Sequence, residues 1–93
     1  MLLTSFSTKF PLGQIVVTTN ALNSLPSEAI ESALRRHAQC DWGGLGIEDA
    51  ALNDDALIQG GRLFSAYGSS DNRVWVITEW DRSVTTVLLP EDY

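Results

Sequence analysis

His37 and Cys40 stand three residues apart, with Asp41 beside the cysteine. An imidazolium close to a thiol lowers the thiol's pKa and makes it a nucleophile, so this spacing is the first place to look for covalent chemistry. No third group that would orient the imidazole, and no oxyanion-hole pattern, follows at a recognisable spacing. The same residues offer a metal two ligands and one carboxylate, whereas a structural zinc site needs four ligands, with Cys or His in pairs. The pair therefore reads as a core-facing histidine and a small packed thiol. No catalytic residue, metal or cofactor is expected.

Two glycine groups, Gly43-Gly44-x-Gly46 and Gly60-Gly61, have the composition of phosphate loops. A dinucleotide loop must follow a strand and open a helix, and here the first group follows a helix-forming stretch. Both groups read as helix stops. Acid–base catalysis needs two carboxyls held across a cleft with separated pKa values. Asp54 and Asp55 are sequence neighbours on an expected solvent face. Glu79 and Asp81 flank Trp80 beside Arg82, in what reads as a turn with local ion pairs.

Charge distribution carries more information. The 93 residues hold twelve acids and six bases, a formal charge of −6 and a pI near 4.4. Between Ala38 and Gly61 lie Asp41, Glu48, Asp49, Asp54 and Asp55 and no base. Such a segment is either a solubilising face or a negative field that steers the chain to a basic groove of another protein. These five acids are the candidate partner-binding residues. Glu91 and Asp92 add a second acidic spot. A chain of this charge repels phosphates, so direct nucleic-acid binding is not expected, nor is membrane binding. No apolar run approaches the ~20 residues of a membrane span. The Met1-Leu2-Leu3-Thr4-Ser5 start has no basic region and no long apolar core of a signal peptide. A single cysteine suits the cytosol, and a cytoplasmic location in the host cell is expected.

The elements that must position these residues follow from periodicity. Apolar residues make up 44% and charged residues 19%, an ordinary globular mix, and the length predicts one domain over 1–93. Residues 1–12, with Lys9 and Pro11, read as a loosely ordered lead-in. Gln14 to Thr19 is β-branched and predicts a short strand. Asn20 to Leu25 predicts a turn of helix capped by Asn20. Ile30, Ala33, Leu34 and His37 fall on one face of a helix running from a Ser27 cap to about Gln39. A second helix is expected from Ile47 to about Gln59, with Ile47, Ala50, Ala51, Leu57 and Ile58 as its apolar set and a possible break near Asn53. Strands over Arg62–Gly68, Arg73–Trp80 and Val84–Leu89, joined by turns at Ser69–Asn72 and Asp81–Ser83, make an antiparallel meander. The fold class is α+β: an antiparallel sheet of about four strands with two helices packed on one face.

Both faces of the sheet are apolar. Trp75 and Ile77 alternate with Val74, Val76 and Trp80. The expected core is Ile30, Leu34, Trp75, Ile77 and Val87. The other face, with Val74, Val76 and Trp80, is left for the N-terminal segment, a second subunit or a partner.

Longer motifs carry a resemblance. They are Leu12-Gly13-Gln14-Ile15-Val16, His37-x-x-x-Asp41-Trp42-Gly43, Gly61-Arg62-Leu63-Phe64-Ser65-Ala66-Tyr67, and the run from Trp75 through Glu79-Trp80-Asp81-Arg82 to Pro90. From about Leu12 to Tyr93 the chain resembles a family of small acidic proteins carried by plasmids, integrative elements and phages. Its members are labelled "plasmid-related protein" or "type I restriction endonuclease subunit M". The second label implies a methyltransferase, yet no Gly-rich loop follows a strand here and no Asn/Asp-Pro-Pro-aromatic motif is present. No chemistry carries over from the family. The mobile-element setting implies an anti-CRISPR or anti-restriction inhibitor. Its partner would be a protein with a basic nucleic-acid site, such as a CRISPR effector complex or a restriction enzyme, met by an acidic surface that imitates DNA. The alternative is a plasmid-maintenance interaction protein that works as a homodimer through an apolar sheet face. A small thiol or metal enzyme built on His37 and Cys40 is a third class.

Overall fold

The computed structural model describes residues 7–69 and 72–93. The Met1 to Ser5 start, and the Ser70 and Asp71 part of the expected Ser69–Asn72 turn, lie outside the described residues.

Three β-branched runs and the Leu-Phe-Ser-Ala-Tyr segment form four strands: β1 (Gln14–Val17), β2 (Leu63–Tyr67), β3 (Val74–Thr78) and β4 (Val84–Leu88). Between the first two strands lie α1 (Thr19–Ser24), α2 (Ser27–Ala38) and α3 (Ile47–Gln59), and a single 3-10 turn, Pro90–Asp92, follows β4. The chain has an α+β fold. The sheet order is β1-β4-β3-β2. β2, β3 and β4 form the expected antiparallel meander, with Phe64 opposite Ile77 and Val76 opposite Val87. β1 departs from expectation: it pairs parallel to β4, Gln14 opposite Val84, so the sheet is mixed. The helical connection carries the chain from one edge of the sheet to the other. Strand direction at that edge is then set by topology, which no local residue encodes.

α2 buries Ile30, Ala33, Leu34, His37 and Ala38, the face its periodicity predicts. That face meets Val74, Val76 and Val87, joined by Ala21, Leu25, Tyr67 and Leu89. Ile30, Leu34 and Val87 thus sit together as expected, but Trp75 and Ile77 do not join them. They lie on the opposite face with Phe64 and Leu88. Polar residues favour this choice, because the buried His37 needs two hydrogen-bonding partners and finds Ser65 and Thr78 on the Val74–Val76–Thr78 face. The second face is partly covered by the C-terminus. Tyr93 stacks edgewise on Trp75 at 5.9 Å, and its hydroxyl accepts a hydrogen bond from Arg62 at 2.8 Å. Trp80 belongs to neither face; it stands on the β3–β4 turn, 69% exposed.

The described part of the lead-in, residues 7–12, packs onto the fold. Phe10 and Leu12 are buried with Ala38, Trp42 and Leu63 in a second apolar cluster at one end of the helix-covered face. The Lys9 N–H donates to the Ala38 carbonyl at 2.8 Å.

Helix ends differ from the expected caps. Thr18, not Asn20, caps α1, its Oγ1 accepting from the Ala21 N–H at 3.2 Å. Pro26 rather than Ser27 holds the N-cap position of α2. α2 stops at Cys40, which takes the left-handed conformation with φ 64°. The Cys40 N–H then bonds the His37 carbonyl and the Asp41 N–H bonds the Arg36 carbonyl, at 3.0 and 2.9 Å. This is the Schellman arrangement with a cysteine where glycine is usual.

Candidate partner-binding surface

His37 is fully buried and bonded at both ring nitrogens. Nδ1 lies 2.5 Å from Ser65 Oγ and Nε2 lies 2.8 Å from Thr78 Oγ1. Thr78 Oγ1 is 2.7 Å from Thr85 Oγ1, which donates to the Leu12 carbonyl at 2.6 Å. A carbonyl can only accept, so the proton of Thr85 is committed to Leu12. Thr85 must then accept from Thr78, and Thr78 from the Nε2–H of His37. Nδ1 is left as the acceptor for the Ser65 hydroxyl. The chain of donors closes with a neutral imidazole and no spare proton. Burial, with a smaller contribution from the Arg82 charge, pushes the His37 pKa down to about 4. Ser65, Thr78 and Thr85 are as buried as the histidine, so the network has no access to a substrate.

Cys40 does not join this network. Its thiol is half-buried, and burial raises its pKa against the opposing pull of Lys9, the reverse of what a nucleophile needs. Among the described residues no group of three His, Cys, Asp or Glu side chains is placed to hold a metal ion. No described helix is long and apolar enough to cross a membrane.

The acidic segment is built around α3, which is mounted on the outer edge of β2. Asn53, buried on this helix, donates to the Phe64 carbonyl at 2.6 Å and accepts from the Phe64 N–H at 3.1 Å. The helix runs unbroken through this residue, where a break was conceivable from sequence. The segment before α3 extends the same edge. The Gly44 N–H donates to the Ala66 carbonyl, and the Ala66 N–H donates to the Trp42 carbonyl, at 2.7 and 3.3 Å. Gly43 makes this approach possible: its φ is 75°, and a Cβ there would collide with the Ala66 carbonyl oxygen and the Tyr67 ring. Gly43 therefore serves strand pairing as well as chain reversal. The far end of α3 is held by Arg82, which donates to the carbonyls of Ala56 (3.0 Å), Gly61 (2.5 Å) and Glu79 (3.1 Å). A guanidinium at a helix C-terminus complements its dipole. In the same turn Asp81 accepts from Ser83, and Glu79 pairs with Arg62 across the sheet, so the Glu79–Arg82 group is structural.

The five candidate acids divide in two. Asp41 is tied to Arg36 by an ion pair at 2.7 Å and accepts from the Gly43 N–H at 3.1 Å; the Arg36 hydrogen bond holds its carboxyl below the usual range. Asp54 accepts from the Trp42 indole N–H at 3.1 Å, pinning α3 to the buried ring. Both help to build the fold. Glu48, Asp49 and Asp55 are exposed and make no ion pair or side-chain hydrogen bond among the described residues. Glu48 and Asp49 occupy the first turn of α3, where a negative charge is favoured by the helix dipole.

Periodicity misassigned the apolar set of α3. Ala50 and Leu57 pack against the Phe10–Trp42 cluster together with Ala56. Ile47 and Ile58, expected in the stripe, are 91% and 84% exposed, and Leu52 is 65% exposed. Helical spacing places Ile47, Ala51 and Ile58 in one outward row and Glu48, Leu52 and Asp55 in the next. The outer face of α3 thus interleaves large apolar side chains with unpaired carboxylates. The signal for it lay in the sequence: Asp54 and Asp55 interrupt the apolar stripe, and a helix whose buried side is anchored by Asn53 has its remaining apolar residues to spare.

Comparison with protein-family models, curated proteins and solved structures finds no match for the chain.

Proposed function

We propose that the chain is a non-enzymatic inhibitor of a host defence nuclease complex, of the anti-CRISPR or anti-restriction kind. It would dock through the outer face of α3 onto a basic site that normally holds nucleic acid. One observation carries this reading: Glu48, Asp49 and Asp55 stand unpaired among exposed Ile47, Leu52 and Ile58. A face that served only solubility would not display three large aliphatic side chains, and exposed apolar groups rimmed by charge mark protein contacts. The carboxylates supply steering toward Lys and Arg, and the aliphatic groups supply area that excludes water from those pairs. The resemblance to small acidic proteins of mobile elements supports a defence complex as the partner class. The fully buried His37 and Ser65 support a binding role over a catalytic one.

The test neutralises Glu48→Gln, Asp49→Asn and Asp55→Asn together and leaves Asp41 and Asp54, which hold the fold. Affinity for the defence complex, recovered from a CRISPR-bearing or restriction-positive host, should fall by about tenfold or more and lose most of its salt dependence. Unchanged affinity and salt dependence would contradict the reading.

A further inference from the structure

The two edges of the sheet are finished differently. On β2, Asn53 and the Trp42–Gly44 segment take up the outward backbone groups of Phe64 and Ala66. Among the described residues β1 has no such cover. Its register with β4, with Gln14 N–H donating to Ser83 at 2.9 Å and Thr18 N–H to Val87 at 3.0 Å, turns the backbone groups of Gln14, Val16 and Thr18 inward. Those of Ile15 and Val17 face outward, and among the described residues nothing bonds to them. Such an edge is a template for another strand. β1 carries no lysine, proline or bulge of the kind that blunts exposed edges; its short length is its one protection.

We propose that the occupant of this edge is β1 of a second copy, running antiparallel across a two-fold axis. Charge is the first argument. The chain carries −6, yet no charged residue lies between Lys9 and Glu28, the stretch that contains β1 and α1. β1 itself presents no charge to a second copy, the carboxylate near it, Asp92, is held by hydrogen bonds from Thr18 and Asn20 at 2.7 Å, and pairing there keeps both acidic α3 helices at the far ends. Self-complementarity is the second argument. Outward groups on Ile15 and Val17 pair with Val17 and Ile15 of the second copy, which centres the axis on Val16. Val16, 39% exposed, then faces its own copy at a non-hydrogen-bonded position, where side chains approach most closely. The pairing doubles the four strands into one continuous sheet of eight. The two β2 strands, each bearing an α3 helix, lie roughly 35 Å apart at ordinary strand spacing.

Sedimentation equilibrium of the full chain over about two decades of concentration tests the proposal. A monomer–dimer equilibrium is expected. Val16→Lys opposes two cations at the axis and should raise the dissociation constant by about tenfold or more, whereas Val16→Thr, which keeps the branch, should leave it nearly unchanged. Amide exchange on the unmodified chain gives a second readout that no folding defect can confuse. The Ile15 and Val17 N–H groups should slow on concentration, while those of Gln14 and Val16, already bonded to β4, should change little. A chain that stays monomeric throughout overturns the proposal. So does a dimer that Val16→Lys leaves intact while the Ile15 and Val17 amides exchange independently of concentration.

Discussion

The side-chain amide of Asn53 exchanges two hydrogen bonds with the backbone of Phe64, at 2.6 and 3.1 Å, and so stands in for a neighbouring strand at the edge of β2. Closing that edge and mounting α3 are the same act, because the residue that satisfies the ladder belongs to the helix. Asn53→Ala strands both backbone groups of Phe64. It should cost about 2–4 kcal/mol in urea unfolding, more than truncation of the exposed Leu52 on the same helix, which should stay within about 0.5 kcal/mol.

Acid stability reports on the His37 network. The folded imidazole titrates at about 4, against an ordinary value of 6.5. Above pH 6.5 both folded and unfolded chains hold it neutral, and its contribution is fully present. As pH falls from 6.5 toward 4 the unfolded chain takes up a proton that the folded chain refuses, and stability is lost. Below about 4 this loss levels off. The two pKa values imply a loss of about 3 kcal/mol from this group, measurable as a falling urea midpoint across that window. A His37→Gln variant, less stable throughout, should show a shallower fall.

Cys40 offers a test whose sign is diagnostic. In a helix interior, glycine is less stable than alanine by about 1 kcal/mol. At φ 64° the order should reverse. Cys40→Gly should be more stable than Cys40→Ala by about 1 kcal/mol, since only the alanine keeps a Cβ in the left-handed region. Thermal unfolding of the two variants reads the difference directly, and neither change should affect the proposed docking to a defence complex if the thiol has no chemical role.

What could be read from the sequence depended on whether a signal was local. The α2 stripe of Ile30, Ala33, Leu34 and His37 and the three meander strands follow from periodicity and turn residues within a few positions, and all were legible. The choice of sheet face was not, because Trp75 and Ile77 are as apolar as Val74 and Val76. It turns on Ser65 and Thr78 meeting His37 from two strands, with Thr85 of a third strand bonded to Thr78 behind them. The parallel placement of β1 has no local signature either. Phe10 and Leu12 looked like a tail because nothing nearby shows that Trp42 and Leu63 await them. At the candidate surface the charge count points to the α3 segment. It could not separate Asp41 and Asp54, spent on Arg36 and Trp42, from Glu48, Asp49 and Asp55. Nor did it show that Ile47, Leu52 and Ile58 face outward.

Competition between DNA and the chain for the defence complex tests the central claim most directly. The claim is that the outer face of α3 occupies a site made for phosphates. A fluorescent target duplex pre-bound to the complex should be displaced by the unmodified chain, and displacement should weaken as salt rises, as charge-driven docking requires. The Glu48→Gln, Asp49→Asn, Asp55→Asn variant should displace it only at about tenfold or higher concentration. A ternary complex in which duplex and chain are held together at full occupancy would contradict the account.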